Sequence, residues 1–271
     1  LALFEKENID PMEALSSGIR GMLIPTKGKK FIVGDYASIE ARALAWLAGQ
    51  EDKLERFRGD GKIYEHTASK MFLKDITEIT KEERFLGKIA ELACGYGGGA
   101  KAFNLMAENY GISISKAKAH NIKHAWRLTN HAIVDFWATV ERGAKDAILY
   151  QKCTTARGIQ FIVKNRFLWC RLPSGRTLAY YQPTCEQQKV LCYEAPTSGF
   201  AKGRLQHTEV YHPAVHESKQ QFLEEARKVG AEPYEFSTTS ICFFGTDSKT
   251  RKWCKQSTYG GKLVENITQA V

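Results

Sequence analysis

Two stretches decide how this chain is read: Phe31-Ile32-Val33-Gly34-Asp35-Tyr36-Ala37-Ser38-Ile39-Glu40-Ala41-Arg42, and the run from Arg84 to Tyr96. In the first, Ile32 and Val33 read as a short buried strand that ends at Gly34-Asp35. Ser38 is then expected to cap a helix, with Glu40 in its first turn near the positive end of the dipole and Gly49 closing it. Asp35 falls at the strand-to-helix junction, where a fold can fix a carboxylate, and a buried carboxylate suits a divalent metal. In the second stretch Arg84, Lys88, Leu92 and Tyr96 recur every four residues and fall on one helical stripe. Arg and Lys on one stripe suit a triphosphate, and an aromatic further along suits a base. Both sites in one basic chain point to nucleotidyl transfer on nucleic acid.

Composition sets the frame. At 271 residues the chain makes one or two domains and can bury a sizeable core. The net charge of +9 leans toward a polyanionic partner, and Lys and Arg contacts to phosphate would make that binding salt-dependent. Seven cysteines, an odd number with no Cys-x-x-Cys pair, fit a reduced compartment better than a disulfide framework. No apolar run approaches the ~20 residues of a membrane-spanning helix, and no signal peptide is read. A cytoplasmic location, the host's if the chain is phage-encoded, is the expectation. The chain opens on Leu1 and stops at Val271 inside a helical pattern, so both ends read as cuts through a larger fold.

Along the chain, residues 62–72 and Lys81 to Leu92 read as amphipathic helices, and 101–109 and 115–150 as helical again. Residues 159–181 change texture to a β-hairpin with a turn at Pro173-Ser174-Gly175-Arg176. Residues 184–236 read as polar and irregular, with one charged helix near 214–229. Ile241 to Phe244 returns to strand.

Several of these segments, in order, resemble the polymerase domain of DNA polymerase I-like (family A) enzymes of bacteriophage type. Asp35 to Arg42 resembles that family's first catalytic motif. Arg84-x3-Lys88-x3-Leu92-x3-Tyr96-Gly97 resembles its fingers-helix motif, and Lys62 to Ala68 the helix between the two. Leu172-Pro173-Ser174-Gly175-Arg176 and Ser257 to Gln269 resemble later phage-type segments. The match covers about residues 12–181 and 241–271. It implies an α+β fold with right-hand polymerase architecture, incomplete here. Residues 1–61 would be the first part of the palm and 62–150 the helical fingers. Residues 151–271 would be the rest of the palm, an antiparallel sheet with helices, with an insertion at about 184–240 and a truncated last helix.

The resemblance also implies roles. Asp35 would bind two Mg²⁺ ions, with the Tyr36 carbonyl as a further ligand. Arg84 and Lys88 would hold the triphosphate of an incoming dNTP, alongside Ser38, Tyr64 and Leu92. Tyr96 and Gly97 would lie beside the nascent base pair. Glu40 would crowd the sugar 2′ position and so exclude ribonucleotides, which disfavours an RNA polymerase. Glu265 and Gln269 would contact the primer–template terminus, and Arg42 would brace the motif. Leu92 stands where relatives carry Phe or Tyr, and Tyr64 where many carry His.

The family also needs a second carboxylate, in a His-Asp motif after the Gln269 helix, which this chain does not reach. Val215-His216-Glu217 is rejected as a substitute because it precedes that helix and reads as polar helix. The expectation is therefore one piece of a split or truncated polymerase. A complementary polypeptide would carry the His-Asp motif, and possibly another the thumb and exonuclease part. The alternative is a non-catalytic remnant that grips primer–template and nucleotide. Simpler readings of single residues stand beside these. Arg and Lys at i, i+4 are ordinarily solvated, Leu92 and Tyr96 ordinarily core, and Glu40 a helix-dipole residue. A zinc site from Cys192, His207, His212 and His216 is disfavoured by irregular spacing and Pro213.

Overall fold

The structure, a computed structural model, describes residues 15, 17–196, 206–210, 218–247 and 250–271. The chain divides into two compact units, Leu1–Ala37 and Ser38–Val271, each described here by itself. In the first unit, a 3-10 turn over Ile19–Met22 leads into extended chain. The strand expected at Ile32-Val33 is not formed: both side chains are about nine-tenths exposed, at 91% and 90%. A strand exists only by pairing its backbone groups. Within this unit the described residues form no strand.

The second unit opens with helices α1 (Ile39–Ala48), α2 (Glu51–Arg58), α3 (Ile63–Phe72), α4 (Lys81–Cys94) and α5 (Ala100–Asn109). Helices α6 (Lys116–Thr129) and α7 (His131–Tyr150) follow. Helix α4 starts with a capping box: Thr80 Oγ1 accepts from the Glu83 amide, and Glu83 Oε2 accepts from the Thr80 amide. Ser38 does not cap α1. It sits in the left-handed region (φ 53°), and its hydroxyl lies 3.0 Å from the Tyr64 hydroxyl instead. The single helix expected over 115–150 is broken at Asn130. That buried side chain donates to the Trp126 carbonyl at 2.8 Å, giving the backbone an alternative to the next helical bond.

One buried ion pair ties four of these helices together. Lys53 Nζ on α2 lies 2.7 Å from Glu91 Oε2 on α4, and each side chain is only 3% exposed. Glu91 Oε1 accepts from Thr67 of α3 at 2.6 Å and from the Trp126 indole of α6 at 3.1 Å. The ammonium also lies 5.1 Å from the Trp126 ring centre.

Helix α7 carries the core across to the sheet. Its Ile133, Phe136, Val140, Ala144 and Ala147 are buried, and Gly143 lets it approach Ala156 and the Phe161 ring. The sheet is antiparallel: β1 (Thr154–Ala156), β2 (Ile159–Lys164), β3 (Phe167–Arg171), β4 (Thr177–Pro196), β5 (Gln206–Val210), β6 (Tyr234–Thr246) and β7 (Trp253–Thr258). The order is β1-β2-β3-β4-β6-β7, with β5 also on β4. The hairpin expected at 159–181 is thus part of a longer meander, turned tightly at Arg157-Gly158 and Asn165-Arg166, all four with positive φ.

The stretch 184–196 is not irregular. It continues β4, pairing residue by residue with β6 from Thr184↔Cys242 to Cys192↔Tyr234. Its polar sequence hid the strand because little of it is buried between Cys185, which packs on the main core, and Cys192-Tyr193. There the charged helix, α8 (Lys219–Lys228), covers its end with Phe222 and Ala226. His212, Pro213 and Val215-His216-Glu217 lie outside the described residues. The last helix, α9 (Gly260–Ala270), packs Leu263, Val264 and Ile267 inward. No described helix is long and apolar enough to cross a membrane.

The buried pair gives a direct test. Glu91→Gln leaves the Lys53 charge buried without a counter-charge and should cost about 3–5 kcal/mol of stability in urea denaturation. The double variant Lys53→Met/Glu91→Gln keeps an acceptor for Thr67 and Trp126, and should recover most of that loss.

Candidate active-site face

Helix α4 has two faces. Leu86, Ile89, Ala90 and Ala93 are buried, while Arg84 and Leu92 are exposed and Lys88 and the following Tyr96 are half-buried. The four-residue stripe therefore looks outward along the helix, and its neighbours hold each side chain. Arg84 Nε donates to Glu65 Oε1 at 2.7 Å, and its guanidinium lies 5.6 Å from the Tyr64 ring centre. Tyr64 in turn meets Ser38. Ser38, Tyr64 and Arg84 thus form one continuous patch across α1, α3 and α4. Gly87 makes the α3–α4 approach possible, since a Cβ there would lie 2.3 Å from the Tyr64 carbonyl oxygen. Lys88 sits one turn on, near the rings of Phe85 and Tyr110, which pack edge to face.

The far end of the stripe is built differently. Burial pushes the Tyr96 hydroxyl well above its ordinary range, and the carboxylates of Glu40 and Glu265 push it the same way. Tyr96 stays neutral at physiological pH, within electrostatic reach of Glu40 on α1 and Glu265 on α9. Thr268 lies beside it, and neither hydroxyl has a hydrogen-bond partner of good geometry. Glu265 is held by Lys262 at 2.9 Å, and Gln269 is exposed one turn further along α9.

Glycines close this corner. Gly97 adopts φ +80°, with the Tyr259 ring against its Cα, and a Cβ on Gly261 would lie 2.2 Å from the Tyr96 carbonyl oxygen. Arg127 donates to the Gly97 carbonyl at 3.3 Å, and Glu141 accepts from the Gly260 amide at 2.8 Å. Sequence reasoning missed Glu65, Arg127, Glu141 and Thr268. Each acts on a residue far away in the chain, so no local pattern marks it. Arg42 of α1 reaches Phe57, with its guanidinium 4.4 Å from the ring centre and a 3.4 Å bond to the carbonyl, and so braces α1 on α2.

Asp35 and Tyr36 belong to the first unit and are exposed there. Among the described residues no group of three or more His, Cys, Asp or Glu side chains could hold a metal ion. Asp35 offers one carboxylate, and that donor set does not by itself fit a closed divalent site.

Comparisons with known proteins identify the family of the chain. DNA polymerase family A matches residues 7–165. The chain is 36% identical to the DNA polymerase of Bacillus phage SP02 over 260 residues, covering 94% of this chain and 33% of that protein. It is 29% identical to DNA polymerase I of Aquifex aeolicus over 129 residues, 47% of this chain and 22% of the relative. It is 33% identical to the DNA polymerase of Mycobacterium phage L5 over 111 residues, 40% of this chain and 17% of the relative. The chain spans about a third of the length of the phage SP02 protein.

The closeness of α9 to the Tyr96 backbone is testable. Gly261→Ala cannot be accommodated without moving α9 away from Tyr96. It should lower stability by about 1–3 kcal/mol in urea denaturation, whereas Gly99→Ala, with open space around its Cα, should be close to neutral.

Proposed function

Because the chain belongs to DNA polymerase family A, we propose that it carries the nucleotide-binding face of a polymerase that adds dNMP to a primer 3′-OH on a DNA template. The observation that carries this reading is the stripe Arg84, Lys88, Leu92 and Tyr96, exposed at Arg84 and Leu92 and half-buried at Lys88 and Tyr96, whose last residue feels the charges of Glu40 and Glu265. Arg84 offers a planar fork of donors and Lys88 a mobile point charge, a pairing suited to a triphosphate. The hydroxyls of Ser38 and Tyr64 lie at the Arg84 end, where further phosphate oxygens would sit.

Tyr96 would set the base-proximal end, held neutral by its surroundings. Glu40 beside it would crowd a ribose 2′-OH and favour dNTP. Gly97, Glu265 and Gln269 would meet the primer–template. In this reading residues 62–150 serve as fingers, and residues 1–61 and 151–271 as parts of the palm. Work on DNA would place the protein in the cytoplasm of the host cell.

Asp35, with the Tyr36 carbonyl, would supply one carboxylate toward two Mg²⁺ ions, and the other would come from a complementary polypeptide or a longer chain. Thumb and exonuclease parts would be supplied in the same way. The second reading is a non-catalytic subunit that grips primer–template and nucleotide. Primer extension with dNTPs and Mg²⁺ separates the two, using this chain alone and mixed with a segment carrying the His-Asp motif. Extension only in the mixture supports the split site. DNA binding without extension in either supports the binding subunit.

In the extending assembly, Asp35→Ala should lower incorporation by roughly a thousandfold or more, a loss of several kcal/mol, while DNA affinity persists. Near-normal extension rates would remove Asp35 from the site. Glu40→Ala should raise the ratio of rNTP to dNTP incorporation by roughly 10- to 100-fold in competition assays, and an unchanged ratio would remove the sugar-gate role.

A further inference from the structure

One face of the sheet packs on α7, and the other carries a set of half-buried rings that ends on an exposed one. Phe161, Leu168, Cys170 and Tyr180 point into the core shared with α7. Their neighbours point the other way and line up across the strands. One row of paired residues runs Lys164↔Phe167↔Tyr181↔Phe244↔Lys255, crossing β2, β3, β4, β6 and β7. Paired residues share a face, so three rings stand in a line with a cation at each end. Trp169 and Trp253 widen the line. Ring centres lie 5.0 Å apart for Phe167–Tyr181, 5.4 Å for Phe167–Trp169 and 6.1 Å for Tyr181–Trp253. Trp253 is 62% exposed, a large apolar ring left in water.

The turn at one end adds a second observation. Asn165 and Arg166 both have positive φ, 54° and 67°. A two-residue turn of this kind prefers glycine at its second position. Arg166 occupies it against that preference, and its guanidinium lies 5.2 Å from the Tyr181 ring centre. Backbone strain kept in order to hold a cation over an aromatic row points to use rather than to stability.

We propose that this face is a stacking platform for single-stranded DNA, the unpaired strand on which the polymerase works. The inference rests on the reading that the chain handles nucleic acid. Rings in series accept bases of any sequence, and the flanking cations follow the phosphates. The charge pattern selects this occupant. Among the described residues the carboxylate beside the row is Glu186, which Lys255 already pairs, while Glu194 lies further along the same face and accepts from the Tyr234 hydroxyl. An apolar protein surface laid on the row would strip water from Lys164 and Arg166 without pairing them.

The test is fluorescence anisotropy of a labelled oligothymidylate and of a blunt duplex, alongside primer extension by the same proteins. Trp253→Ala removes an exposed ring and should weaken oligothymidylate binding about tenfold, with duplex affinity unchanged and Trp253→Phe recovering most of the loss. Arg166→Gly should weaken the oligothymidylate in the same way while raising the thermal midpoint, because it relieves the turn. A structural role alone would move the two together.

The proposal is overturned if the wild type does not bind oligothymidylate, or if Trp253→Ala binds it as the wild type does. It is also overturned if Trp253 is shielded from acrylamide in the extending assembly before DNA is added, since protein then covers the face. Extension with an unchanged Trp253→Ala affinity rejects the platform and leaves the polymerase reading standing. A Trp253→Ala loss in a protein that never extends a primer leaves the platform standing alone.

Discussion

The helical half of this protein is organised around one desolvated charge pair. Lys53 and Glu91 meet at 2.7 Å, with almost no exposure on either side. Removing two charges from water is costly, and the cost is offset only where geometry and further hydrogen bonds are good. Thr67 and Trp126 supply those bonds to Glu91. The pair therefore works only when α2, α3, α4 and α6 are in register with one another. An apolar contact would tolerate sliding; this one does not. Nearby, Gln50 repeats the device more weakly. Buried at the α1–α2 junction, it accepts from the Ala132 amide and donates to the Thr129 carbonyl, which fixes the α6–α7 break against α1.

That register matters because the candidate site lies on the other face of α4. Glu91 points inward while Arg84, Lys88 and Leu92 point outward from the same helix. Fixing the rotation of α4 at Glu91 fixes the direction of the stripe. The glycines at 87, 97 and 261 then set how closely α3 and α9 approach it. Arg84 lies by Tyr64, and Tyr96 lies by α9, because backbones approach closely at those points, and Tyr96 feels the charges of Glu40 and Glu265. Placement of the outward side chains follows from inward packing, and no strong contact among the outward residues is needed.

Periodicity made the helices legible, and the outward stripe with them: α3, α4 and α5 fall within two residues of their expected bounds. Periodicity could not show which charges are buried. Lys53 and Glu91 look like surface residues in the sequence, as Arg84 and Lys88 do, and only tertiary packing separates the two cases. The strand through 184–196 was hidden for a related reason. Alternation marks a strand only when one face is buried, and this ribbon is bare along much of its length. Ile32-Val33 failed in the opposite direction. Its apolar pattern is real, but pairing makes a strand, and the described residues of its unit form none. Asn130 was overlooked because its competing bond is made by a side chain that helical periodicity does not weigh.

The resting contacts of the stripe bear on how it would take up an anion. Arg84 is held by Glu65, but both side chains are partly exposed, at 47% and 22%. Such a pair contributes at most about 1 kcal/mol. It costs little to break, yet it holds the long Arg84 side chain near one rotamer while the site is empty. Among the described residues Lys88 is held by two rings, which attract its charge without neutralising it. A triphosphate arriving at this face would therefore find two cations already ordered, and it would need to displace a single weakly bound carboxylate. The contrast with Lys53–Glu91 lies chiefly in environment. A basic–acidic pair shut away from water and tied by further hydrogen bonds is structural, whereas the half-exposed Arg84–Glu65 pair is weak and easily parted.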